Sequence, residues 1–114
     1  MIPSPQLQTL KAEFFRALAH PIRIRLLEAL VDDREVTVQQ LQHALRINQP
    51  IVSQQLARLR AAGIVVTRKR GTSTYYAVAD PLMKNLLKVA KQILNRRLSG
   101  VQTMLRELKG ESRV

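Results

Sequence analysis

Gln49, Ser53 and Gln54 stand near the start of a helix-forming stretch, and three consecutive cations, Arg68-Lys69-Arg70, follow it. These residue types suit an anionic polymer. A glutamine amide pairs bidentately with adenine in the major groove, a serine hydroxyl bonds either base class, and an exposed isoleucine can meet a thymine methyl. Positions at a helix N-terminus reach deepest into a groove, so Gln49, Ile51, Ser53 and Gln54 are the candidate base contacts. Arg58 and Arg60 lie further along, where they suit phosphates; Thr37, Arg46 and Gln55 complete the candidate backbone contacts. Arg68, Lys69 and Arg70, with Thr72 beside them, form a basic tip suited to phosphate or a minor groove.

The charge distribution points the same way. The 114 residues carry 19 basic and 8 acidic groups, a net charge of +11. Residues 1–35 are balanced, and residues 80–114 hold eight basic and three acidic groups. Residues 36–79 contain no Asp or Glu, against Arg46, Arg58, Arg60, Arg68, Lys69 and Arg70. A merely solvated surface mixes both signs, whereas a carboxylate-free stretch removes the groups that repel phosphate.

Several classes are excluded or disfavoured. The chain has no cysteine, which rules out disulfides, thiolate metal sites and thiol nucleophiles. It shows no nucleophile–histidine–acid set and no glycine-rich phosphate loop, so an enzyme is not expected. No apolar run approaches the ~18–20 residues of a membrane span, and Met1 to Lys11 lack the pattern of a signal peptide. A small soluble cytoplasmic protein is expected. No cofactor is predicted; His20 and His43 are the only candidates for an unorthodox metal site, with nearby carboxylates.

The elements that must position these residues follow from periodicity and punctuation. Leu7, Leu10, Phe14 and Leu18 recur at helical spacing and predict a helix over about residues 5–19. Pro21 suits the first turn of a second helix that buries Ile22, Leu26, Leu27 and Leu30 and fades at Asp32-Asp33. Thr37 is a plausible N-cap for a short third helix over 37–45, and Asn48 for a fourth over 48–62, with Pro50 tolerated in its first turn. Within it Val52, Leu56 and Leu59 define the buried stripe, and Gly63 fits a left-handed helix end.

The β-branched run 64–67 reads as one strand, 68–73 as a polar turn and 74–78 as a second strand, making a hairpin with a basic tip. Asp80-Pro81 starts a last helix over about residues 81–108. The fold class is therefore mainly α with a small β-hairpin: a winged helix-turn-helix in the order α-α-α-α-β-β-α.

A single domain is expected over 1–114, with a winged core over about 20–80. The flanking helices carry more apolar surface than that core can cover. Leu87, Leu94, Val101 and Leu108 repeat every seven residues, a pairing signal. Leu7, Leu10, Phe14, Leu87, Leu94, Leu98, Val101 and Leu105 are thus the candidate residues of a homodimer built by the first and last helices. Two-fold symmetry would set two recognition helices ~34 Å apart on an inverted repeat.

The stretches Leu18-Ala19-His20-Pro21-Ile22-Arg23, Gln49-Pro50-Ile51-Val52-Ser53-Gln54-Gln55-Leu56 and Leu59-Arg60-Ala61-Ala62-Gly63-Ile64-Val65 resemble the ArsR/SmtB family of bacterial transcriptional regulators. Arg70-Gly71 and Tyr75-Tyr76 also match that family's wing, and the likeness covers about residues 10–100. The resemblance implies a homodimeric repressor on double-stranded operator DNA, usually controlled by an inducer. Many relatives sense metals through cysteines at the start of the third helix. The matching stretch here, Glu35-Val36-Thr37-Val38-Gln39-Gln40-Leu41, has Thr37 and Gln39 at those places. A second family site uses Asp and His on the last helix, and no histidine follows His43. The sequence names no effector. The alternative functions are a non-specific RNA- or nucleoid-binding protein, which the net charge would suit, and a protein-interaction module on a winged scaffold.

Overall fold

A computed structural model of the chain describes residues 5–32 and 35–112. Within them the elements are α1 (Pro5–Leu18), α2 (Pro21–Asp32), α3 (Val38–Leu45), α4 (Gln49–Ala61), β1 (Val65–Arg70), β2 (Ser73–Val78) and α5 (Leu82–Ser112). This is the expected order. The chain divides into two compact units, Met1–Pro81 and Leu82–Val114.

The core of the first unit is aliphatic. Leu26, Leu27 and Leu30 of α2, Leu41 of α3, and Val52, Leu56 and Leu59 of α4 are buried, joined by Ile64 and Val65. The stripe assigned to α4 from its spacing is therefore its inner face. Short local signals start α2, α3 and α4. His20 Nδ1 accepts a hydrogen bond from Ile22 N (3.1 Å), capping α2 just before Pro21. α2 ends at Asp32; its expected continuation into Asp33 lies outside the described residues. Thr37 and Gln40 close a reciprocal capping box at α3. Asn48 Oδ1 accepts from Ile51 N (3.2 Å) at α4, with Pro50 in the first turn.

The hairpin differs from expectation. Residues 68–73 read as a polar turn, but Arg68, Lys69 and Arg70 belong to β1 and Ser73 to β2, leaving only Gly71-Thr72 between the strands. Gly71 has φ +61 and Thr72 is not left-handed, the pattern of a type II′ turn. That turn matches the right-handed twist of the strands and lets the ladder run to the tip. β1 and β2 pair from Val65↔Val78 to Arg70↔Ser73. Val36 adds one antiparallel bridge to Tyr76, through Val36 N to Tyr76 O (3.0 Å) and Tyr76 N to Val36 O (2.7 Å). Ile64, expected in the strand, instead donates its N–H to Leu59 O (2.9 Å) and finishes the end of α4.

The second unit is the single helix α5, 31 residues or about 46 Å long. It extends past the expected end near residue 108. Its Ile93, Leu94, Leu98, Val101, Leu105 and Leu108 are exposed.

Candidate nucleic-acid interface

α4 presents a polar, acid-free face. Gln49, Ser53, Gln54, Arg58 and Arg60 are exposed, and Ile51 is half-buried. The base-contact candidates thus share the outward side of one helix, whose inner side is clamped by Val52, Leu56 and Leu59. α4 packs against α2 and α3 behind and against β1 beside it, so helix and hairpin form one body.

Gln55 corrects the sequence reading. Expected at the DNA backbone, it is only 8 % exposed. The physical reason is periodicity: Val52, Gln55, Leu56 and Leu59 occupy i, i+3, i+4 and i+7, so an amide fills the remaining place in the buried stripe. Its Oε1 accepts from Arg23 Nε at 2.9 Å. The same guanidinium donates through Nη1 to Ala17 O (2.9 Å), a carbonyl at the end of α1. Arg23 therefore ties α1, α2 and α4 together. No buried side-chain polar atom among the described residues lacks a partner.

The turn between α3 and α4 is equally specific. Arg46 adopts a left-handed conformation (φ 55, ψ 44) and its N–H bonds Gln42 O. Glycine usually takes this place, because a Cβ there costs roughly 1–2 kcal/mol. The side chain of Arg46 is exposed beside the N-terminus of α4. Arg25 Nη2 donates to Leu45 O (2.8 Å), satisfying the end of α3. Thr37, a candidate backbone contact, is half-buried and its hydroxyl already accepts from Gln40 N (3.1 Å).

In the hairpin the three cations separate by strand alternation. Arg68 and Arg70 share one face of β1 and Lys69 takes the other. Arg70 Nη2 lies 2.9 Å from Glu35 Oε2, and Arg68 Nη1 lies 3.6 Å from Glu35 Oε1. Arg70 also sits over the Tyr75 ring at 5.6 Å. The acid-free stretch 36–79 is thus met by the carboxylate immediately preceding it. Lys69 and Thr72 are exposed, and Lys69 has no ion pair among those seen in the described residues. Sequence reasoning missed Glu35, Arg23 and Arg25. Only a bridge at Val36, which a single residue hardly signals, brings Glu35 to the wing.

A family model described as "Bacterial regulatory protein, arsR family" matches residues 20–67, which include α2, α3 and α4. Over 106 residues the chain is 42 % identical to Rv0081 of Mycobacterium tuberculosis, an HTH-type transcriptional regulator, with 93 % of each chain covered. The chain belongs to the arsR family. The crystal structure of Rv0081 superposes on this arsR-family fold with a TM-score of 0.75 at 44 % identity, covering 86 % of this chain and 97 % of that one. The arsenic resistance transcriptional regulator ArsR1 of Pseudomonas putida is 40 % identical over 88 residues, 71 % of this chain and 69 % of its own. The transcriptional repressor PagR of Bacillus anthracis is 31 % identical over 83 residues, 72 % and 82 % of the two chains.

The donors of this arsR-family chain do not fit the family's thiolate metal site. It has no cysteine, Thr37 is engaged as the cap of α3, and Gln39 is a neutral amide. His20 is engaged as the cap of α2 and His43 is exposed on α3. Among the described residues no three His, Cys, Asp or Glu side chains group as metal ligands. No described helix is long and apolar enough to cross a membrane.

Proposed function

We propose that the chain is a sequence-specific transcriptional repressor that binds an inverted-repeat operator in double-stranded DNA as a homodimer, in the cytoplasm. One observation carries this reading: an acid-free recognition face on α4, with Gln49, Ser53 and Gln54 exposed, beside a cationic hairpin in an arsR-family fold. Gln49, Ile51, Ser53 and Gln54 read base edges. Arg46, Arg58, Arg60 and the hairpin hold phosphates, which set register and most of the affinity.

The dimer rests on α1 and α5. Leu7, Leu10 and Phe14 on α1, and Leu94, Leu98, Val101 and Leu105 on α5, are exposed, while Leu87 is half-buried. Apolar faces of this extent on a highly charged chain suit a second copy. Sedimentation at micromolar concentration tests it: a dimer supports the reading, and monomer alone refutes it.

Binding-site selection with purified protein tests the rest. An inverted repeat is expected to emerge and to bind far tighter than random duplex. If six to ten phosphates are neutralised per dimer, log K falls with a slope of about −5 to −9 against log salt. Equal binding of random duplex and of transfer RNA would instead support the non-specific reading, which the net charge of +11 favours.

A further inference from the structure

The ion pairs of the wing carry an inference that rests on the DNA-binding reading and deepens it. Glu35 stands beside Ala77, because Val36 bridges Tyr76 in an antiparallel register. The small side chain of Ala77 lets Arg68 and Arg70 reach from β1 across β2 to the carboxylate. Each guanidinium meets a different oxygen, at 3.6 and 2.9 Å. The arginine side chains nevertheless stay 68 % and 57 % exposed, and that of Glu35 23 %. They border an open groove of about 770 Å³ that Val36 and Gln40 also line, so an incoming anion has access to them.

We propose that Glu35 is an internal stand-in for a DNA phosphate: it holds Arg68 and Arg70 in the free protein and competes with the duplex for them. Two observations favour competition over bracing. The hairpin has its own complete ladder, a type II′ turn and the backbone bridge at Val36, so the ion pairs are not needed to form it. The pairs are also largely solvated, the class whose contribution is small and easily exchanged. A cation already neutralised by a carboxylate releases few counterions when it changes partner. Glu35 therefore lowers both the affinity and its salt sensitivity.

The test compares the full chain with E35Q on the selected operator, by fluorescence anisotropy across a salt series. E35Q is expected to bind about 3- to 30-fold tighter, the range that two exposed ion pairs represent. Its slope of log K against log salt is expected to steepen by up to ~0.9 for each arginine freed. In the background of Arg68→Ala with Arg70→Ala, E35Q is expected to give no more than a twofold gain. Circular dichroism of E35Q is expected to match the wild type.

If E35Q binds the operator no tighter than the wild type, or gains as much without the arginines, the competition is overturned while the DNA-binding reading stands. Weaker binding by E35Q with a loosened Val36–Tyr76 bridge, read by amide exchange of Tyr76 and Val36, would show a brace and overturn it too. If neither protein binds any duplex, both readings fall.

Discussion

Replacing Gln55 by methionine separates a structural amide from a DNA-contacting one. Gln55 is 8 % exposed, and its Oε1 takes the Nε proton of Arg23 at 2.9 Å. A hydrogen bond to a charged donor contributes ~1.5–3 kcal/mol, and its loss leaves that donor unsatisfied. Arg23 is only half-buried, so water replaces part of the bond, and methionine adds apolar contact in the stripe beside Val52 and Leu59. The net cost is about 1–2 kcal/mol, or roughly 4–8 °C in Tm for each kcal/mol in a unit of this size. Arg23→Met costs more, because it also uncovers Ala17 O at the end of α1.

The double variant should cost less than the two singles added, with a coupling of about 1 kcal/mol or more. Urea denaturation followed by circular dichroism measures all four proteins, at one protomer concentration because association shifts apparent stability. Operator affinity of folded Gln55→Met should stay within about twofold, with its salt slope unchanged. Additive singles would refute the bond. A loss of operator affinity well beyond twofold in the folded variant would return Gln55 to the phosphates.

Other positions give simpler readouts. Gln54→Ala should lose ~1–3 kcal/mol of discrimination at one base pair of each half-site and keep the rest, measured by competition with singly substituted operators. Arg46→Gly relieves a left-handed Cβ, so stability should hold or rise by about 1 kcal/mol while DNA binding weakens; denaturation and anisotropy should move in opposite directions. In Gly71→Val the new Cβ meets no neighbour within 4 Å but must hold φ +61, so the hairpin should lose about 1–2 kcal/mol, seen as faster amide exchange at Tyr75, the partner of Arg68 in the ladder. Leu56→Ala, at a fully buried site, should cost ~2–5 kcal/mol in urea denaturation.

Much of the fold was legible locally. Thr37 and Asn48 announce α3 and α4 because a side-chain oxygen three residues before an unpaired N–H can satisfy it without help from elsewhere. Val52, Leu56 and Leu59 were identifiable as core because helical period and apolarity coincide there. Gln55 was not, since its polarity says surface while its spacing says stripe, and only Arg23 from α2 resolves the conflict. The extent of the hairpin was misjudged for a related reason. Arg68, Lys69 and Arg70 lack strand propensity, yet a two-residue turn at Gly71 keeps them in the ladder.

The chain alone determined what depends on near neighbours and on totals: the helices with their caps, the glycine of the turn, the aliphatic core and the cationic excess. Those follow from backbone sterics, side-chain reach over one helical turn, and composition. Tertiary structure decided which partners distant groups acquire. Glu35 meets Arg68 and Arg70 across a strand, and Arg23 meets Gln55 across two helices. Such pairings are set by how elements pack, and no spacing along the chain encodes them.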